Sequence, residues 1–190
     1  AEALRSAGRD VVEVREPGGT RLGEAIRLIL SRKGGAEKIA PRAEMLLFMA
    51  SRAQLVQSVI LPALTRGAHV VCDRFADSTA AYQGYARGCD LQLIRKINAF
   101  AVQSLVPDLT ILLDLDVGAG FRRLHARNRR QGTARDRIES EGMDFHRRVR
   151  LGYLDLAGRA PGRFAVINAA RPVGRVHAEV WRAVQNATGI

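Results

Sequence analysis

The chain has 190 residues, about the size of one domain, and its 47% hydrophobic and 26% charged residues exclude a fibre or a disordered chain. Thirty Lys and Arg against 19 Asp and Glu leave a net charge of +11 and a pI near 11.0. The excess is uneven: residues 122–182 hold 15 Arg against 6 acidic residues, which points to a polyanionic partner without choosing among nucleic acid, membrane and nucleotide.

The longest apolar runs are about five residues, against about 20 needed to span a bilayer, and the opening AEALRSAGRD lacks a signal-peptide pattern. Two cysteines, Cys72 and Cys89, cannot by themselves build a disulfide framework or a four-ligand zinc site. They are expected to be reduced thiols in a cytoplasmic protein. His69, His125, His146 and His177 are scattered, without metal-ligand spacing, so no residue is assigned to a metal.

In chain order, the first strand is expected at Val11-Val12-Glu13-Val14, a short apolar run without alternation. Helical spacing follows, with Leu22, Ile26, Ile29 and Leu30 on one face, then Leu46, Met49, Ala50 and Ala53. A second strand is expected at His69-Val70-Val71-Cys72. A third helical face then joins Leu93, Ile97, Ala101 and Leu105. Strands at Thr110-Ile111-Leu112-Leu113 and Phe164-Ala165-Val166-Ile167 come next, and Val176, Val180, Ala183 and Val184 mark a last helix. Strands of this kind, joined by long helical crossovers, predict an α/β fold with a parallel sheet covered by helices on both faces. The 127–137 stretch, with Arg127, Arg129, Arg130, Arg135 and Arg137 around Gly132 and Thr133, reads as a mobile basic loop between helices.

Ligands of such folds bind at the carboxyl ends of the strands. Those ends carry Arg15-Glu16, Asp73-Arg74, and Asp114 with Asp116, so three exits deliver charge to one rim. Arg74 can grip a phosphate in a bidentate manner, and Asp73 can orient it or hold a metal-bound water. The same pair could also do no more than close a strand end.

The segment around this pair, with Asp73, Arg74, Phe75, Ser78, Thr79, Tyr82 and Gln83 at fixed spacing, resembles the characteristic motif of thymidylate kinases. Arg15-Glu16-Pro17-Gly18-Gly19-Thr20 is similar to that family's first substrate loop, and 43–54 to its base-binding helix. Pro107-Asp108-Leu109-Thr110 and Asp136-Arg137-Ile138-Glu139 also fit, so the likeness spans essentially the whole chain. It implies a nucleoside monophosphate kinase fold of the P-loop type, in a single domain over 1–190 with a basic lid at about 122–140. The implied activity is phosphorylation of dTMP to dTDP by ATP with Mg²⁺, in a cytoplasmic homodimer joined through parts of 43–66 and 90–105. Neither a membrane nor a nucleic acid is expected as partner.

The resemblance also implies roles. Phe48 would stack on thymine, and Arg52, one helical turn on, would meet the base or phosphate. Arg74 would hold the monophosphate, with Arg27 as a second phosphate-side Arg. Gln83 would read a thymine edge with Thr79 beside it, and Ser78 belongs to the same turn. Tyr82 would pack under the sugar, which Glu16 and Pro17 would line. Arg127 is the positional match for the lid arginine that neutralises the transferring phosphoryl group, with Arg123 and Arg130 as neighbours able to take its place near ATP. Asp73, Arg74 and Arg127 are thus the expected catalytic set.

No G-x-x-x-x-G-K-[ST] run occurs in these residues, and only Lys33, Lys38 and Lys96 are lysines. The first ten residues resemble the last turns of the helix that follows the phosphate loop in the family. The expectation is therefore an N-terminally incomplete domain, which binds dTMP better than ATP and has negligible kinase activity by itself. Two alternatives stay open on the residues: a related kinase with another base preference, and a basic, non-catalytic nucleic-acid-binding protein. Against the second, aromatics are only 5% and do not interleave with the Arg cluster.

Overall fold

The computed structural model describes residues 1–32, 38–132 and 136–189. Lys33, and Thr133 and Arg135 of the expected basic loop, lie outside the described residues. The chain forms two compact units, Ala1–Val106 and Pro107–Ile190.

In the first unit, helix α1 (Glu2–Ser6) leads into strand β1 (Val11–Arg15). Helix α2 (Arg21–Ser31) starts at Thr20, whose hydroxyl accepts from the Gly23 amide at 3.0 Å, a cap worth about 1 kcal/mol. Helix α3 (Pro41–Leu55) begins on a proline, which fits the first turn because that turn needs no amide donor. It continues through a π-helical stretch (Val56–Ile60) into α4 (Leu61–Thr65). Strand β2 (His69–Asp73), helix α5 (Ala76–Thr79), a second π-helical stretch (Ala80–Ala86) and α6 (Leu91–Ala101) complete the unit.

Strands β1 and β2 pair in parallel, Val11 with His69 through Arg15 with Asp73, so the charged exits of the two strands lie side by side. Leu55, Val56, Ile60 and Val102 form the buried core under them, with Val14, Val70, Cys72 and Phe75 packed against it.

The second unit contains β3 (Thr110–Asp114), α7 (Val117–Gln131), α8 (Met143–Arg159), β4 (Phe164–Asn168) and α9 (Val173–Thr188). Here β3 and β4 pair in parallel, Thr110 with Phe164 through Asp114 with Asn168. All four expected strands form, each extended by one polar residue: Arg15, Asp73, Asp114 or Asn168. Most of their residues are half-buried; Phe164 and Ile167 are buried, while Leu113 and Val166 are exposed.

Three helical faces differ from expectation. On α2 the buried set is Gly23, Ile26 and Leu30, while Leu22 and Ile29 are exposed. On α3 the interior face holds Glu44, Met45, Met49, Ser51, Arg52 and Leu55, while Leu46 is exposed. On α6 it holds Ile94, Asn98 and Ala101, and Leu93 is exposed. Apolar periodicity locates a stripe, but on α3 and α6 polar residues with internal partners rotate the buried face away from it.

Two further points concern a long helical column and the expected basic loop. The helical column 41–65 is, at 25 residues, long and apolar enough to cross a membrane, although no unbroken apolar run within it is long. Its Glu44 and Arg52 are buried in side-chain bonds within the unit, as in a core helix. The first part of the supposed basic loop is helical as far as Gln131, closed by Gly132 at φ 62°. Arg129 and Arg130 lie in the last turn, where cations favour the helix dipole.

Candidate functional site

The loop that leaves β1 is bound at every residue from Arg15 to Thr20. Arg15 donates to both carboxylate oxygens of Glu24 at 3.1 Å, and the Gly19 amide donates to Glu24 at 2.9 Å. These bonds, that of Gly19 first, hold the Glu24 carboxyl below its ordinary value. The Gly18 amide donates to the Ser51 hydroxyl at 3.3 Å, and Arg27 Nη1 to the Pro17 carbonyl at 3.2 Å. The Glu16–Pro17 peptide is cis. Gly23 is required beneath this loop, since a Cβ there would lie 2.6 Å from the Gly18 carbonyl oxygen.

Glu16 points inward and is 4% exposed. Burial pushes its carboxyl up, against the opposing pull of Arg52. Arg52, 1% exposed, donates from Nε at 2.8 and 3.1 Å and from Nη2 at 2.6 Å to the Glu16 carboxylate. Its Nη1 reaches Thr79 Oγ1 at 2.9 Å and Asn98 Oδ1 at 2.6 Å, and Nη2 also reaches the Phe75 carbonyl at 3.2 Å. The guanidinium lies 5.7 Å from the Phe75 ring centroid, within cation–π range. All five of its N–H donors are spent inside the unit, where it ties α3 to the Glu16 loop and to the segment after β2.

Gln83 is also held from the interior. It is 1% exposed and donates to Glu44 at 2.7 Å, beside Arg87, whose Nε and Nη2 both reach that carboxylate at 3.4 Å. Thr79, also 1% exposed, serves Arg52.

The exit of β2 has the opposite character. Asp73 and Arg74 are exposed, and Arg74 takes the left-handed backbone at φ 69°, which costs a non-glycine residue on the order of 1–3 kcal/mol and concentrates at functional sites. The Cys72 thiol donates to the Arg74 carbonyl at 2.9 Å, and burial pushes that thiol up to about 12, so it stays protonated as a donor. Arg74 Nη1 lies 3.3 Å from the Tyr82 hydroxyl, with its guanidinium 5.7 Å from that ring's centroid. Ser78 closes the turn, its amide donating to the Phe75 carbonyl at 2.9 Å. Phe48 is half-buried on α3. Three groupings of the expected residues therefore form: Glu16 with Arg52 and Thr79, Pro17 with Arg27, and Arg74 with Tyr82.

The second unit holds the basic candidates. Arg123, Arg127 and Arg130 recur at three- and four-residue spacing along α7. Arg127 donates to Glu139 at 2.7 Å, and Glu139 is itself fixed by its amide bond to Asp136 at 2.7 Å. Arg123 donates to the Ala169 carbonyl at 3.0 Å, and Arg130 is exposed. Asp114, at the exit of β3, is held by Arg150 through bonds of 2.6 and 2.8 Å, which keep its carboxyl below its ordinary value. Asp116 caps α7 through the Ala119 amide. A cavity of about 320 Å³ opens beside them, lined by Phe121, Glu139, His146 and Arg150 among others.

The sequence reasoning missed Glu24, Glu44 and Asn98 as supports of these groups. Asn98 shares the buried face of α6 with Ile94 and Ala101, a face that the expected stripe of Leu93 and Ile97 did not mark.

A family model described as thymidylate kinase matches residues 1–180. A thymidylate kinase of Solidesulfovibrio magneticus is 50% identical over 184 residues, covering 96% of this chain and 88% of that protein. One of Deinococcus radiodurans is 49% identical over 181 residues, covering 95% and 84%. Among solved structures, the crystal structure of thymidylate kinase from Ehrlichia chaffeensis superposes with a TM-score of 0.75 at 34% identity, covering 97% of this chain and 86% of that one.

Proposed function

Because this chain belongs to the thymidylate kinase family, we propose that residues 1–106 hold the acceptor dTMP and that α7 supplies the lid arginine. The reaction is transfer of the terminal phosphoryl group of ATP to dTMP, giving dTDP and ADP on the route to dTTP. The fold is that of a P-loop nucleoside monophosphate kinase. The observation that carries the acceptor assignment is Arg74, an exposed cation on strained backbone with its guanidinium against Tyr82.

Arg74 binds the monophosphate through charge-assisted bonds, and Tyr82 beneath it supports the sugar. Phe48 stacks on the thymine ring, and Ser78 belongs to the same wall. Glu16 and Pro17 line the sugar, the first fixed from behind by Arg52, while Arg27 sits on the phosphate side, one N–H already on the Pro17 carbonyl. Gln83 reads a thymine edge with Thr79 beside it, the first supported by Glu44 and the second by Arg52. Positioning and charge neutralisation do most of the catalytic work in such transfers. Arg127 supplies positive charge to the transferring group once it exchanges Glu139 for phosphate oxygens, and Arg123 and Arg130 flank it near ATP.

A metal–ATP complex is the family's donor, and we take the metal to be Mg²⁺. Among the described residues no group of three or more His, Cys, Asp or Glu could hold a metal. Such an ion would be bound mainly by substrate phosphates and water and would neutralise their charge. Asp73, exposed beside Arg74, is the carboxylate able to hold one of its waters.

We further propose one domain over 1–190 with a lid at about 122–140, acting as a cytoplasmic homodimer. Exposed Leu46, Leu64, Leu93 and Phe100 on the 43–66 and 90–105 stretches support the dimer, and free Cys72 and Cys89 suit a reducing compartment. Neither membrane nor nucleic acid is assigned as a partner. Titration of the 190-residue chain with dTMP, dUMP, dCMP and the ribose form of TMP tests the acceptor site, with dTMP expected to bind tightest. If dUMP or dCMP outcompetes dTMP, the base assignment is wrong.

A further inference from the structure

We infer that Asn98, on the interior face of α6, is a positioning residue of the acceptor site: it holds the Arg52 guanidinium and the Ala76 carbonyl together, and so sets the segment bearing Arg74 against the loop bearing Glu16. The inference rests on the reading of residues 1–106 as the dTMP site.

Asn98 is 9% exposed, on a face shared with Ile94 and Ala101. A polar side chain there is costly unless both ends of its amide are satisfied. Both are: Oδ1 accepts from Arg52 Nη1 at 2.6 Å, and Nδ2 donates to the Ala76 carbonyl at 3.2 Å. A guanidinium only donates and a carbonyl only accepts, so the amide has one orientation, and neither a carboxylate nor a hydrocarbon can serve both partners.

The consequence lies in what those partners hold. Ala76 opens α5 two residues after Arg74, whose left-handed backbone needs fixed neighbours. The remaining donors of Arg52 hold Glu16, Thr79 and the Phe75 carbonyl. Asn98 is therefore bonded both to the clamp on the Glu16 loop and to the segment that follows Arg74. Phe48 sits on α3, whose backbone hydrogen bonds do not involve Asn98. Removing Asn98 should loosen the phosphate side of the site more than the thymine side.

The test titrates the full chain with dTMP and with thymidine, which lacks the phosphate, for the wild type, Asn98→Leu, Asn98→Asp and Ile94→Ala, each with a thermal unfolding curve. Ile94 is fully buried on the same helix face, so Ile94→Ala loosens packing without touching the relay. Asn98→Leu is expected to weaken dTMP about tenfold and thymidine by about twofold or less, the scale of a bond to a charged group. Asn98→Asp keeps the acceptor for Arg52 and loses the donor to Ala76, so its dTMP affinity should fall between those of the wild type and Asn98→Leu. Ile94→Ala should melt lower with an unchanged dTMP-to-thymidine ratio.

Equal loss for both ligands in Asn98→Leu, or no loss for either, overturns the inference. So does the same change of ratio in Ile94→Ala. If Asn98→Leu does not fold, an unchanged ratio in Asn98→Asp overturns it instead. A wild-type chain that fails to bind dTMP brings down the acceptor-site reading and the inference with it, whereas a wild type that binds beside Asn98 variants of unchanged ratio removes the inference alone.

Discussion

Arg52 and Glu16, 36 positions apart in the chain, close on each other inside the first unit, with Nη2 2.6 Å from Oε2 and side chains only 1% and 3% exposed. One lies on α3 and the other at the exit of β1, so the pair joins a helix to a strand end at the point where the 15–20 loop begins.

A buried pair of this kind is costly to break and cheap to replace as a unit. Arg52→Ala strands the Glu16 carboxylate and should cost about 3–5 kcal/mol. The double variant Arg52→Met with Glu16→Leu should be clearly more stable than Arg52→Ala, because no buried charge is left unpaired. Urea unfolding of the variants gives the comparison. A double variant no more stable than Arg52→Ala would mean that the pair's charges are not the source of the loss.

Gly23 lies against the carbonyl of Gly18, with room for hydrogen only. Gly23→Ala forces that backbone or Ser51 to move and should cost about 1–3 kcal/mol, the range for overpacked sites. The displaced loop should also bind dTMP more weakly. A variant with unchanged stability and affinity would show that the loop yields freely.

Arg74 combines backbone strain with an exposed cation. Arg74→Asn places a residue more tolerant of the left-handed region there, so thermal stability should not fall. Loss of the guanidinium should weaken dTMP about ten- to hundredfold, as expected for hydrogen bonds to a charged group worth about 1.5–3 kcal/mol. Undiminished dTMP binding by the folded variant would remove Arg74 from the phosphate site.

Arg150 holds the Asp114 carboxyl below its ordinary value of 3.8. The folded chain therefore binds fewer protons at this position than the unfolded chain, and stability falls as the solution is acidified. The contribution is fully present above pH 3.8 and is lost as pH drops through the lower folded value. Melting curves from pH 6 to about pH 2 should slope less steeply for Asp114→Asn than for the wild type. Parallel slopes would show that the pair contributes nothing to acid lability.

Much of the fold could be read before any coordinates. Four short β-branched runs became strands within one residue of their expected ends, because such runs have no helical stripe to compete with them. Their polar exits, Arg15, Asp73, Asp114 and Asn168, follow directly from those ends. Arg74 was legible as the residue that leaves the second of them. The helix faces were not: Leu22, Ile29, Leu46 and Leu93 belong to regular apolar stripes and nevertheless face outward.

By itself the sequence determined the order of elements, the parallel pairing and the residue types offered to the nucleotide, because these depend on local periodicity and on what each strand end must carry. The tertiary structure alone decided which of those polar residues meet solvent and which turn inward. Arg52 and Gln83 carry the same donors in either position, and their burial became tolerable only because Glu16, Thr79, Asn98 and Glu44, remote in the chain, arrive to satisfy them.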